Sequence, residues 1–302
     1  MKTAIVTGAS GFIGRRLCEK LIDNGYYVYG IVTDIKRGDL KNNHCNLNYI
    51  ELNLVDKSNT DKIPNNIDVL FHLAWIGVDS DLKNNFETQM LNLNISLNVI
   101  KLVKSKNINK IICIGSAAEY AYLKSSISGE DFPRPSDYYS IIKSSARMLF
   151  EYHSKKDGFD FNYVIVPSVY GPGRLDNNII TYSIKSLLNG ETPKFTKLEQ
   201  LWNYIYIDDL IDGIYLVAKK GLNLKTYPLG SNKERPLYEY IKIIHELINP
   251  KAKLGIGELP YKSKDVDNCI MDCSSAYEDL GFVTKVEFES GIVNTIDYIK
   301  KL

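Results

Sequence analysis

This 302-residue chain lacks an excess of either charge: 37 lysines and arginines stand against 36 aspartates and glutamates, a formal net charge of +1. No overall field draws it towards nucleic acid or an anionic membrane, so any anionic ligand must be held locally. Long apolar runs are also missing, and none approaches the roughly 20 residues that span a bilayer. Met1-Lys2 passes directly into Thr3-Ala4-Ile5-Val6-Thr7-Gly8, too short an apolar run for a signal-peptide core. A cytoplasmic protein is expected. Cysteine is sparse and odd in number: Cys18, Cys45, Cys113, Cys269 and Cys273 are scattered and mostly embedded in apolar segments, which fits reduced thiols better than a disulfide framework. Cys269-x-x-x-Cys273 has no second ligand pair nearby, and no metal is expected there. Repeats and low-complexity segments are absent. What is present, 44% hydrophobic and 24% charged residues, suffices for one large domain or two unequal ones.

Short apolar runs alternate with helical patterns through the first two thirds: Thr3 to Thr7, Tyr27 to Val32, Val69 to Leu73, Ile111 to Ile114 and Phe161 to Val166. Ile111-Ile112-Cys113-Ile114 shows no in/out alternation, as expected where helices cover both faces of a parallel sheet. Phe12 to Asp23 and Thr88 to Lys104 carry apolar residues at helical spacing. The pattern predicts an α/β, Rossmann-type doubly wound parallel sheet over residues 1–166, rejoined by 204–230. Beyond about residue 167, proline and glycine punctuate shorter elements. Residues 167–203 and 231–302 are expected to form a smaller substrate-binding lobe over the carboxyl ends of the strands.

Two local patterns carry chemistry. Tyr139-Ser-Ile-Ile-Lys143 places a phenol and an ammonium one helical turn apart. An ammonium beside the phenol would pull its pKa down from about 10 towards a working pH. Ser116 would bind the same substrate oxygen, giving a site that moves a proton at a carbonyl or hydroxyl oxygen while hydride moves at the attached carbon. Thr7-Gly8-Ala9-Ser10-Gly11-Phe12-Ile13-Gly14 follows the first strand and opens the first helix, the context of a dinucleotide fingerprint. Gly8 permits the tight turn, Gly11 the approach of a pyrophosphate, and Gly14 close packing of helix on strand, with the helix N-terminus facing the anion.

Gly-x-x-Gly-x-x-Gly, in place of Gly-x-Gly-x-x-Gly, resembles the extended branch of the short-chain dehydrogenase/reductase superfamily. Further segments resemble it in order. Asp68 to Ala74 is similar to its fourth strand, whose end, Leu73 and Ala74 here, lies along the cofactor. Asn92, with Asn98 six later, is similar to its helix-borne asparagine, and Gly115-Ser116-Ala117-Ala118-Glu119-Tyr120 to the segment with its catalytic Ser/Thr. Pro167-Ser168-Val169-Tyr170-Gly171-Pro172 resembles the loop beside the nicotinamide, and Trp202 to Asp209 the strand returning from the lid. The resemblance implies that Ser116, Tyr139, Lys143 and Asn92 form the catalytic set, with Asn92 positioning Lys143. It also implies a homodimer through helices around 84–104 and 138–153.

For the cofactor, the second strand ends at Val32, where NAD-preferring proteins usually carry an acid. Thr33, Lys36 and Arg37 follow, a set able to hold a 2′-phosphate, and NADP(H) is therefore favoured over NAD(H). Asp34 offers the contrary reading, by binding a ribose. Ser10, Phe12 and Ile13 complete the phosphate turn, while Asn53 and Leu54 fall where the family contacts adenine. Extended members mostly act on nucleotide-linked sugars. For such a substrate the candidates are Asn177, Asn178, Lys194, Trp202 and Lys262 beside Ser116 and Tyr139, with Arg174 and Lys197 as further cations. Trp202 and Ser168 depart from the family, which commonly has arginine and asparagine there. Sugar-nucleotide dehydratases need an Asp-Glu pair directly after the Ser/Thr, and here it is Ala117-Ala118. The chain is most similar to bacterial reductases of nucleotide-linked 4-keto-6-deoxyhexoses, the group that includes abequose- and fucose-forming synthases. The alternatives are a nucleotide-sugar 4-epimerase and a non-catalytic NADP-binding redox sensor, a class that usually lacks the Tyr/Lys pair.

Overall fold

Lys2–Thr7 (β1) buries Ala4, Ile5 and Val6 completely, on both faces of a sheet. Ala4 and Val6 pack on one core with Leu17 and Leu21 of the first helix, and Ile5 packs on the other with Val99 and Val103 of the second. The computed structural model describes residues 1–36, 44–56, 60–78, 82–123, 125–231, 233–261 and 268–302. After β1 come α1 (Phe12–Asp23), β2 (Tyr26–Val32), β3 (Leu47–Glu51), β4 (Val69–His72), α2 (Phe86–Ser105), β5 (Lys110–Ile114), α3 (Tyr138–Asp157) and β6 (Asp160–Ile165). Then follow β7 (Ser168–Tyr170), α4 (Ile179–Leu188), β8 (Lys194–Phe195), β9 (Leu201–Trp202), β10 (Tyr204–Tyr206), α5 (Ile207–Lys220) and β11 (Thr226–Pro228). The chain closes with β12 (Arg235–Pro236), α6 (Leu237–Ile248), β13 (Gly255–Ile256), α7 (Ser274–Leu280) and α8 (Phe288–Lys300).

Seven strands form one parallel sheet in the order β11-β6-β5-β4-β1-β2-β3. The order reverses between β1 and β4, so the chain leaves these neighbours in opposite directions and opens a crevice at their carboxyl ends, where ligands bind in open α/β sheets. Thr7 closes the seam below that crevice: its Oγ1 accepts the N–H groups of Leu73 and Ala74, each at 3.1 Å. The expected doubly wound α/β architecture is therefore present. β3 and β11 were not anticipated, because Leu47-Asn48-Tyr49-Ile50-Glu51 and Thr226-Tyr227-Pro228 are short sheet-edge strands without a continuous apolar run. Past residue 167 the small pairs β7 with β10, β9 with β12 and β8 with β13 form, and β11 alone returns to the large sheet. No described helix is long and apolar enough to cross a membrane.

The turn between β1 and α1 explains its glycines. Gly8 has φ +70°, and a Cβ on Gly14 would lie 2.2 Å from the Gly8 carbonyl oxygen. That obstacle is backbone, so neither partner can rotate away. Gly14→Ala is expected to cost about 1–3 kcal/mol of stability, read as a lowered melting temperature, and an unchanged melt would contradict this packing.

Candidate active site

The helix that carries Tyr139 and Lys143 begins with a cap. Asp137 accepts the Ser140 N–H at 2.8 Å and the Ser140 hydroxyl reaches back to the Asp137 N–H at 3.2 Å, which starts α3 at Tyr138. Tyr139 thus stands in the first turn and Lys143 one turn on, both buried at 7% exposure. The Tyr139 N–H donates to the Lys83 carbonyl at 3.0 Å, tying this end of α3 to the segment before α2. Ser116 arrives from β5 across the crevice. It caps the 3-10 turn Ala117–Tyr120, and its hydroxyl faces Tyr139 closely enough to favour the ionised phenol.

Lys143 does not approach the phenol as the spacing predicts. Its ammonium donates to the Ile114 carbonyl at 2.8 Å and lies over the Trp75 ring, 3.8 Å from the centroid, while the Tyr139 centroid is 5.6 Å away. Burial dominates the electrostatics. It holds the Tyr139 phenol above its ordinary value, with Ser116 opposing, and brings Lys143 down to about 8, with Glu119 opposing. The phenol is accordingly the protonated, donating form in this state. His72, deeper between β1 and β5, binds Thr7 Oγ1 through Nδ1 at 2.9 Å, and burial with the Lys143 charge brings it down to about 3.

Asn92 also acts less directly than expected. Its carboxamide accepts the Ile76 N–H at 2.7 Å and donates to the Ile76 carbonyl at 2.9 Å. It therefore fixes the chain that carries Trp75, and reaches Lys143 only through that indole. Gln89 completes the clamp by accepting the Trp75 Nε1–H at 3.1 Å and donating to the Gly77 and Leu82 carbonyls. Asn98 donates to the Leu54 and Val55 carbonyls, fixing the turn after β3.

The chain as a whole is matched in known proteins. Residues 4–230 match the NAD dependent epimerase/dehydratase family. The chain belongs to that family. A UDP-glucuronate 4-epimerase from Thermodesulfobacterium geofontis is 27% identical over 314 residues, covering 98% of this chain and 96% of that protein. A CDP-abequose synthase from Yersinia pseudotuberculosis is 27% identical over 271 residues, covering 87% and 89%. The structure of a UDP-glucose 4-epimerase from Thermotoga maritima with UDP-glucose superposes with a TM-score of 0.88 at 24% identity, covering 99% of each chain. The last of these likeness measures speaks for the fold.

A member of the NAD dependent epimerase/dehydratase family needs a place for a nicotinamide dinucleotide, and the turn fits one. A Cβ on Gly8 would stand 2.9 Å from the Ala74 nitrogen, and one on Gly11 would stand 3.2 Å from the Gly8 carbonyl oxygen, so only glycines leave this cradle open. No side chain among the described residues caps α1, which leaves its first N–H groups, from Phe12, Ile13 and Gly14, to face an anion. Gly173 lies against the Phe12 ring, bringing the loop after Pro167 and Val169 to the same edge.

Other assignments shift. Thr33 and Lys36 are exposed, and Arg37 lies outside the described residues, as does Lys262. Glu51, paired in register with Val32, accepts the Ile35 N–H at 3.2 Å, so an acid does stand at this turn, supplied by β3. Asn53 is engaged within its own turn, accepting from Val55 N–H and donating to Asp56. Asn178 caps α4 through Ile180 and Thr181, an N-cap role that competes with substrate binding. Asn177 is exposed, and Lys194 is 60% exposed and pairs with Glu258 at 3.5 Å. Arg174 holds Asp176 and the Val169 carbonyl. Trp202 donates its Nε1–H to Ser168 at 2.9 Å, so the two departures from the expected family pattern touch each other. Trp75, Gln89 and Glu119 escaped the sequence reading; only Glu119 carried a local signal, the Ser-x-x-Glu capping box.

His72 gives a pH test. Its ordinary value is 6.5 and its folded value about 3, so between these the unfolded chain binds a proton that the native state refuses. Stability from this residue is full above 6.5 and lost as pH falls towards 3. His72→Gln is expected to flatten that part of the stability–pH curve measured by denaturant unfolding; an unaltered curve would contradict a buried neutral imidazole.

Proposed function

We propose that the chain is a nucleotide-sugar 4-epimerase that uses a retained nicotinamide dinucleotide. The observation that carries this reading is the Ser116 hydroxyl facing the Tyr139 phenol, with the buried Lys143 ammonium one helical turn on and 5.6 Å from the Tyr139 ring centroid, at the carboxyl edge of the sheet. A nicotinamide held at this edge would supply hydride acceptance and return. Ser116 and Tyr139 bracket the sugar oxygen, and Tyr139 carries the proton that this oxygen gains or loses. Lys143 keeps positive charge beneath the site and would hold the ribose of a bound cofactor. Ala117 and Ala118 have no proton to move, which argues against elimination of water. The sugar nucleotide and its C4 position come from the relative that is a UDP-glucuronate 4-epimerase. Segments 167–203 and 231–302 would close over the sugar and diphosphate.

Reduction of a nucleotide-linked 4-keto-6-deoxyhexose is the second reading, supported by the CDP-abequose synthase relative and by Val32, Thr33 and Lys36 at the end of β2. Against its NADP(H) preference, the Glu51 carboxylate occupies the same turn and would repel a 2′-phosphate, so NAD(H) takes first place here. A non-catalytic redox sensor has no use for a buried Tyr139–Lys143 pair. We also propose a homodimer through α2 and α3, because Tyr138, Ile141, Met148 and Tyr152 leave an exposed apolar stripe along α3, extended by Phe86. Sedimentation of a monomer at micromolar concentration would contradict it.

Incubation with nucleotide-linked hexoses and uronic acids, followed by NMR of the products, is expected to show C4 epimers without net cofactor consumption. Tyr139→Phe is expected to lose about 10²–10⁴-fold in kcat with cofactor binding intact. Stoichiometric NADPH oxidation with a 4-keto sugar would establish the second reading, and full activity of Tyr139→Phe would contradict both.

A further inference from the structure

Trp75, just past the end of β4, packs against both side chains of the Tyr139–Lys143 pair. The Lys143 ammonium lies over its ring, 3.8 Å from the centroid, and the Tyr139 ring stands at 78° to it with centroids 6.0 Å apart. Lys143 Nζ is in turn 5.6 Å from the Tyr139 centroid, so the three groups form a closed triangle. An ammonium has three N–H donors. Among the described residues one goes to the Ile114 carbonyl at 2.8 Å, and the indole face covers the cation from another side. The ring itself is locked. Its Nε1–H donates to Gln89 Oε1 at 3.1 Å. Gln89 has no exposure to solvent and spends its Nε2 donors on the Gly77 and Leu82 carbonyls, at 2.8 and 3.0 Å, so its carboxamide can present only the oxygen to the indole. The same oxygen accepts from Asn92 Nδ2 at 3.2 Å, and Asn92 binds both the N–H and the carbonyl of Ile76, the residue after Trp75. Two buried amides of α2 thus fix this residue from its side chain and from its backbone.

We infer that Trp75 is a positioning residue: its indole, set by Gln89 and Asn92, fixes where the Lys143 ammonium stands relative to Tyr139 and so readies it for the cofactor. The inference rests on the reading above in which Lys143 holds the ribose of a bound dinucleotide, and adds what places the ammonium. An aliphatic side chain of similar bulk would exclude water equally well, yet would offer the buried charge nothing in exchange for it. The indole does both, and its N–H gives the amides of α2 a handle by which to aim the ring. Tyr139 is held to the same connection between β4 and α2, because its N–H donates to the Lys83 carbonyl at 3.0 Å. The spacing of phenol and ammonium is therefore set by this connection as well as by the turn of α3 that joins them.

Trp75→Leu keeps apolar bulk and removes the π face, whereas Trp75→Phe keeps a π face and removes the N–H. Lys143 is followed in the full-length protein by NMR of lysine labelled at the ε-carbon, with its signal identified through Lys143→Met. Its ε-methylene protons are expected upfield of the ordinary lysine position in the wild type, because they lie over an aromatic ring. They are expected to stay upfield in Trp75→Phe and to return to the ordinary position in Trp75→Leu. NADH binding supplies the functional readout. Trp75→Leu is expected to weaken it about 2–30-fold, Trp75→Phe to restore most of the loss, and Trp75→Leu to have no further effect once Lys143→Met is also present. An equal loss with and without Lys143→Met would mean that the ring only supports the fold, and overturns the inference, as does a Lys143 signal that Trp75→Leu leaves in place. Unchanged NADH binding by Lys143→Met alone would refute instead the ribose role of Lys143, and the Lys143 signal then decides on Trp75. Should Trp75→Leu fail to fold, the wild-type spectrum decides, and a Lys143 methylene at the ordinary lysine position overturns the inference equally.

Discussion

An ammonium held inside the protein organises this site. Lys143 is 7% exposed, and an interior cation is tolerated only where dipoles, a π face or an opposite charge replace its water. The Ile114 carbonyl at the end of β5 supplies the dipole and Trp75 after β4 the ring. Trp75 is in turn held in place by Gln89, and its segment by Asn92. Part of the polar interior beneath the crevice thus serves to keep one charge in place.

The sheet decides where that charge can act. Reversal of strand order between β1 and β4 opens the crevice, and the backbone contact of Gly14 on Gly8 brings the α1 N-terminus to its rim. α3, started by the Asp137 cap, delivers Tyr139 and Lys143 to the opposite side. Membership of the NAD dependent epimerase/dehydratase family rests on this whole arrangement, since the match runs from residue 4 to residue 230.

Much of this was legible in the chain because it depends on neighbours in sequence. The glycine turn is a local conformational requirement, Tyr139 and Lys143 share a face by helical spacing, and the short uninterrupted apolar runs declare a buried sheet. The direction in which Lys143 points was not legible, because Ile114 and Trp75 lie 29 and 68 positions away and meet it only in the fold. Asn178 and Asn53 illustrate a different failure: short polar side chains resemble ligand contacts, yet they satisfy nearby backbone N–H groups first. Glu51 was passed over because the missing acid at Val32 was sought on one strand, and the adjacent strand brings its own.

The central claim is that Ser116, Tyr139 and Lys143 serve hydride transfer at a carbon of a nucleotide-linked sugar. It is tested most directly in a single turnover. Protein loaded with NAD is mixed with excess nucleotide sugar, and the absorbance of reduced nicotinamide is followed. The account expects that signal to appear with at least one nucleotide sugar, and to be absent with the free sugar or the nucleotide alone. A protein that binds NAD and the nucleotide sugars, yet never shows reduced nicotinamide with any of them, would contradict it.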